Sequence, residues 1–90
     1  MQDIIRLYSV PNCENCKKVK SYLDDRNIKY VEYNLRKNRE ARKYYQSLNI
    51  ETAPVIVGMN NGEEWIITGY DKEAMELLIG DKYDKVKKRR

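Results

Sequence analysis

The spacing of apolar and polar residues changes several times along the chain, and each change marks an element. Residues 4–9, Ile-Ile-Arg-Leu-Tyr-Ser, are largely apolar and stop at Pro11-Asn12, which predicts a short, mostly buried strand from about Ile4 to Ser9. From Glu14 to about Arg26 the apolar positions Cys16, Val19 and Leu23, with Tyr22 beside them, recur at helical spacing until Asp24-Asp25-Arg26-Asn27 ends the run. Ile28 to Leu35 alternates and is rich in β-branched and aromatic residues, the pattern of a strand, with its inward face left open. Asn38 then caps a helix to about Leu48, with Ala41, Tyr44, Tyr45 and Leu48 on one side and basic residues on the other. Two apolar runs, Val55 to Met59 and Glu64 to Thr68, flank Asn60-Asn61-Gly62, a hairpin signal. Asp71 caps a last helix, Lys72 to Ile79, in which Ala74, Leu77 and Leu78 are expected to pack inward, with Gly80 just past its end.

The order is β-α-β-α-β-β-α, without internal repeat or low-complexity tract. Two strands joined through a helix run parallel by a right-handed crossover, and two joined by a tight turn run antiparallel. The expectation is an α/β domain with a mixed four-stranded sheet and flanking helices.

A chain of 90 residues has room for one small domain and one modest core. No early basic segment precedes an apolar run of about 7–15 residues, and no stretch of about 18 apolar residues offers a membrane span. The chain therefore reads as soluble, cytoplasmic and monomeric. The net charge of +4 is not evenly spread, because residues 81–90 hold six basic and two acidic residues, leaving twelve of each sign in residues 1–80. The domain body, residues 1–80, is neutral, and the excess belongs to a basic C-terminal tail, residues 81–90. A second basic cluster, Arg36 to Lys43, reads as the exposed start of a helix. Charge placed this way does not call for nucleic acid as a partner.

The candidate chemistry is Cys13-Glu14-Asn15-Cys16, where the first strand hands over to the first helix. Three readings compete. A structural disulfide is disfavoured in a reducing compartment, and so short a loop constrains the unfolded chain little. Structural zinc wants four Cys or His ligands, whereas this chain has two cysteines and no histidine, so zinc or an iron–sulfur cluster would have to be shared by a dimer. The redox reading explains more, since a Cys-x-x-Cys at a helix N-terminus sets its first sulfur against unpaired backbone N–H groups and the positive end of the helix dipole. Such placement lowers a cysteine pKa from about 8.5 to about 3.5–7.5. Lys17 and Lys18 favour the thiolate and Glu14 opposes it. Cys13 is then the nucleophile, and Cys16, one turn further in, resolves the mixed disulfide formed at Cys13.

These features resemble a glutaredoxin-like member of the thioredoxin superfamily over about residues 3–80. Tyr8 to Cys16, "YSVPNCENC", stands where that family has its active-site motif. "TAPVIV", Thr52 to Val57, is similar to its Thr-x-Pro segment, and "TGYDKEA", Thr68 to Ala74, falls where it has a glycine turn before the last helix. The resemblance implies a thioredoxin-like fold, a cis bond between Ala53 and Pro54, and a redox-active Cys13–Cys16 disulfide needing no bound cofactor. It also implies a substrate-binding surface from Thr52, Ala53, Pro54, Gly69, Tyr70 and Asp71, with the Ala53 backbone pairing an extended glutathione or protein substrate. On the residues alone, Pro54 opens an edge strand, Asp71 is an N-cap, and Tyr70 either lines a groove or covers the core.

The chain departs from the family at three places. Glu14-Asn15 replaces the Pro-Tyr of many glutaredoxins, Val10 stands where many have a basic residue, and paired glycines are reduced to Gly69. Glutaredoxin-like proteins that take electrons from thioredoxin reductase and pass them to ribonucleotide reductase are similar in length and in lacking the full glutathione set. Expected partners are disulfide-containing proteins, with glutathione or thioredoxin reductase as electron source. The rivals are a redox-sensing regulator similar to arsenate-reductase-like proteins, and the metal-bridged dimer.

Overall fold

The computed structural model describes residues 4–60 and 62–80. The elements are β1 (Ile5–Ser9), α1 (Glu14–Asp25), β2 (Tyr30–Asn34), α2 (Arg39–Ser47), β3 (Val55–Asn60), β4 (Glu63–Thr68) and α3 (Lys72–Met75), the last continued by a wider π-helical turn over Glu76–Gly80. They form one mixed sheet in the order β2-β1-β3-β4, with β1 and β2 parallel and β3 antiparallel to both β1 and β4. This is the expected β-α-β-α-β-β-α chain order and α/β fold. Asn61 of the hairpin turn and the basic tail, 81–90, lie outside the described residues.

Strand alternation sorts side chains onto two faces. Ile5, Leu7, Ile56 and Ile67 meet Val19 and Leu23 of α1 and Met75 and Ile79 of the last helix, forming one buried cluster. Tyr8, Val55 and Val57 point the other way, where Ala41 and the half-buried Tyr44, Tyr45 and Leu48 of α2 cover them. Both faces of β2 are therefore used, which answers the question its pattern left open: Tyr30 packs on the α1 side and Tyr33 on the α2 side. Ile28 and Leu35 are buried but flank the strand rather than belong to it.

Three asparagines take left-handed backbone conformations at turns, Asn12 (φ 55°), Asn27 (φ 57°) and Asn49 (φ 60°). Asn is among the few residues with a side chain that visit this region routinely. At Asn27 the result is a Schellman closure: the Ile28 N–H donates to the Leu23 carbonyl at 2.9 Å and the Asn27 N–H to the Asp24 carbonyl at 3.1 Å. Ile28 and Leu23 also share the α1-side cluster, so one closure ends the helix and starts the next segment into the core.

The last helix differs from its expected form. Leu77, expected inside, is 72% exposed, while Met75 and Ile79 are fully buried. Met75 and Ile79, four apart, share one face, and Leu77 between them falls on the opposite side of the helix, which ends in the π turn. Gly80 lies within that turn rather than beyond it. Its role is close packing, since a Cβ there would sit 3.0 Å from the Glu76 carboxylate and 3.3 Å from the Tyr22 hydroxyl. Another glycine makes room for an aromatic: Gly58 faces Trp65 across β3 and β4, and a Cβ at 58 would enter the indole ring.

Candidate active site

The carboxyl end of β1, the turn at Pro11-Asn12 and the first turn of α1 together present the cysteines. Cys13 is the N-cap of α1, with extended backbone (φ −113°, ψ 109°), and its sulfur accepts the Cys16 N–H at 3.1 Å. A cysteine thus occupies the place usually taken by Ser, Thr, Asp or Asn, and its sulfur receives a backbone donor that the helix leaves unpaired. Cys13 and Cys16 are joined as a disulfide, with Cα atoms 5.2 Å apart. The two differ in setting: Cys13 is half-buried at the surface, whereas Cys16 is 2% exposed.

Two other segments meet at this end of the sheet. The Ala53–Pro54 peptide bond is cis, as the resemblance implies. The Gly69 N–H donates to the Pro54 carbonyl at 2.7 Å, and Gly69 takes φ 72°, so the Thr52–Pro54 loop and the Gly69 turn are tied to each other. Thr52 is held from the other side, where the Tyr45 hydroxyl donates to its carbonyl at 2.9 Å. Asp71 caps α3 by accepting the Ala74 N–H at 3.1 Å. Tyr70 packs half-buried against the α1-side cluster and also lines a surface groove beside α1.

A groove of about 550 Å³ opens beside Cys13 on the α2 side. Ala53 and Cys13 both line it. Its floor is apolar, from Val10, Leu35 and Tyr45, and Arg36, Arg42, Gln46 and Glu51 stand around it. Arg42 is oriented from within the fold, because its Nε donates to the Leu35 carbonyl at 3.2 Å. Neither Arg36 nor Arg42 has a carboxylate partner within ion-pair distance among the described residues. Sequence reasoning assigned this basic cluster to a solvated helix face and missed the groove. The available signal was Arg42 and Gln46, four apart on α2 and next to the buried stripe, hence on its border rather than opposite to it.

Beneath the other side of α1 lies a small polar network. Ser9, buried, donates to Glu32 at 2.6 Å, and Lys20, one turn after Cys16, pairs with the same carboxylate oxygen at 3.1 Å. Burial pushes the Glu32 carboxyl up, but the Ser9 hydrogen bond and the Lys20 ammonium outweigh it and hold the carboxyl below its ordinary value. This pins α1, and with it the cysteine loop, to the edge strand. Among the described residues no three His, Cys, Asp or Glu side chains come together as a metal site, and no helix is long and apolar enough to cross a membrane.

A four-stranded mixed sheet with a Cys-x-x-Cys disulfide at the head of its first helix defines the thioredoxin-like class. Within that class the chain belongs to the glutaredoxin family, whose sequence pattern matches residues 5–63. It is 32% identical over 76 residues to an uncharacterized glutaredoxin-like 8.6 kDa protein in a rubredoxin operon of Clostridium pasteurianum, covering 84% of this chain and 97% of that one. Among solved structures it is similar to the thioredoxin-like protein BC3987, with 28% identity, a TM-score of 0.71, and coverage of 83% of this chain and 99% of that one. The fold is also that of the glutaredoxin-like NrdH-redoxin from Escherichia coli, at 18% identity and a TM-score of 0.72 over 82% and 92% of the two chains. Family and paired cysteines together support thiol–disulfide oxidoreductase chemistry.

Proposed function

We propose that the protein is a small dithiol–disulfide oxidoreductase that reduces protein disulfides or glutathione mixed disulfides, with Cys13 attacking and Cys16 resolving. The observation that carries this reading is the inequality of the two sulfurs: one is half-exposed on a substrate-sized groove at a helix N-cap, and the other is buried one turn behind it. In the reduced protein the Cys16 N–H and the helix terminus favour negative charge on Cys13. The Cys13 thiolate attacks one sulfur of the substrate disulfide, forms a mixed disulfide and releases the other sulfur as a thiolate that takes up a proton. Cys16, as thiolate, then attacks the Cys13 sulfur, releases the second substrate thiol and leaves the Cys13–Cys16 disulfide. Two electrons from an external thiol or a reductase return the pair to the dithiol, so no bound cofactor is needed.

The groove supports a substrate lying extended past Cys13 with the Ala53 backbone as its hydrogen-bonding edge. Thr52, Pro54, Gly69 and Asp71 lie outside its lining, and Tyr70 lines the groove beside α1, so they would meet only a substrate that reaches beyond it. Arg36 and Arg42 suit a carboxylate. Val10, in the groove where many relatives have a cation, and Glu14 beside Cys13 both weaken the case for glutathione. They favour thioredoxin reductase as electron source, with ribonucleotide reductase as a candidate recipient and the cytoplasm as the setting. The deciding experiment is glutathione-dependent reduction of a small mixed disulfide, with Cys13→Ser as control. Rapid turnover lost in the variant makes glutathione the reductant. No turnover by a protein that still forms a reducible Cys13–Cys16 disulfide assigns the reductase route, and full activity in Cys13→Ser overturns the mechanism.

A further inference from the structure

On the α1 side of the disulfide, α1 and the start of α3 enclose a second groove, polar and of about 580 Å³. It begins at Glu14, the residue after Cys13, and runs past Lys17, Lys18, Tyr70 and Lys72 to Asp25 and Arg26 at the far end of α1. Arg26 is already paired with Glu76 at 3.0 Å, and Lys20 on the same helix is paired with Glu32. Lys17, Lys18 and Lys72 have no carboxylate within ion-pair distance among the described residues. The Lys18 ammonium lies 5.7 Å from the centre of the Tyr70 ring, a cation–π contact that holds its charge at the groove.

Three ammonium groups that no carboxylate pairs among the described residues, on a groove that also holds Glu14 and Asp25 and starts one residue from Cys13, form an electropositive approach to that sulfur. A polypeptide whose cysteine reaches Cys13 must lay its flanking residues somewhere along this rim, and carboxylates there would meet the lysines. Glu14 and Asp25, at the two ends, would repel a continuous phosphate backbone, whereas a peptide can place its acids between them. We propose that this groove docks an acidic polypeptide segment flanking the substrate's disulfide. The inference rests on the disulfide-reductase reading above and adds the class of its substrate.

The test uses the pre-reduced full chain and two synthetic peptides with the same internal disulfide, one flanked by glutamates and one by lysines. In each single turnover one peptide disulfide breaks, the Cys13–Cys16 disulfide forms, and the peptide leaves as a dithiol that is counted. The acidic peptide should react about tenfold faster or more at low salt, and the advantage should shrink as ionic strength shortens the Debye length to about 10 Å and below. Replacing Lys17, Lys18 and Lys72 with glutamate should invert the ratio of the two rates. The ratio is the readout because it cancels any change in the thiolate at Cys13, which both peptides share. Equal rates at low salt, or a ratio unmoved by the triple substitution, overturn the docking groove while leaving the reductase reading in place. Reduction of neither peptide overturns both. An oligonucleotide that displaces the acidic peptide and loses its binding in the triple variant overturns the acidic-peptide assignment in favour of nucleic acid.

Discussion

The two faces of the sheet are built from different materials. On the α1 side the packing is mostly aliphatic and closed, with Ile5, Leu7, Val19, Leu23, Ile56, Met75 and Ile79 all fully buried. On the α2 side it is aromatic and polar at its edges: Tyr8 stacks between Tyr33 and Tyr44 with ring centres 5.3 and 5.4 Å away, Arg6 lies against Tyr8 and Tyr44, and its guanidinium pairs with Glu64 at 2.8 Å. The difference follows the work each side does. The aliphatic side fixes the helix that carries Cys16, the sulfur that resolves in the proposed mechanism. The α2 side carries the arginine groove at Cys13, the proposed seat of the substrate.

The largest effects are expected at the sulfurs. Cys13→Ser should reduce disulfide reduction to background, whereas Cys16→Ser should still attack and then stall, so mass spectrometry should find substrate bound through Cys13 in that variant alone. Next comes stability. Leu23→Ala removes a fully buried side chain from the aliphatic side and should cost about 2–5 kcal/mol in urea unfolding. Tyr44→Ala, on the half-buried aromatic side, should cost less than Leu23→Ala; the reverse order would show that the α2 side is the structural one.

Arg42→Ala separates recognition from folding. It removes a guanidinium from the groove and one hydrogen bond to the Leu35 carbonyl, so stability should fall by about 0.5–1.5 kcal/mol. For a substrate with a carboxylate near its disulfide, KM should rise roughly tenfold, equivalent to about 1.4 kcal/mol, with kcat nearly unchanged. A fall in kcat alone would place Arg42 outside recognition. The smallest effect is expected at Glu32. Its folded carboxyl sits below the ordinary value of 4.5, so its contribution is present above that value and is lost as pH falls through the lower folded one. Glu32→Gln should cost about 0.2–1 kcal/mol at pH 7, the range of exposed ion pairs, and the gap from the parent should close on acidification below 4.5. A gap constant with pH would mean that the Lys20 pair contributes nothing.

Much of this was legible before any fold was known, because its causes are local. The helical spacing of Cys16, Val19 and Leu23 reports the face of α1 that is buried, and Asp71 and Asn38 are caps whose side chains accept N–H groups three residues on. The expected strand and helix order is present throughout the described residues. The errors lie where one residue's setting depends on distant ones. Leu77 looked inward because either face of this short helix carries apolar residues, and only the packing of Met75 and Ile79 against the sheet decides which face is buried. Gly80 looked like a helix stop, and only Tyr22 and Glu76 show it to be a close contact.

The same division runs through the site. The cysteine pair and its position at a strand-to-helix junction were legible in the sequence, because a Cys-x-x-Cys and its flanking elements are contiguous. What surrounds the pair depends on how distant segments pack. Leu35, Arg42, Glu51 and Ala53 come from separate segments, and they share a groove with Cys13 because β1 lies between β2 and β3 and α2 folds over that face. A groove is a property of distances between segments, and a one-dimensional pattern carries none of them.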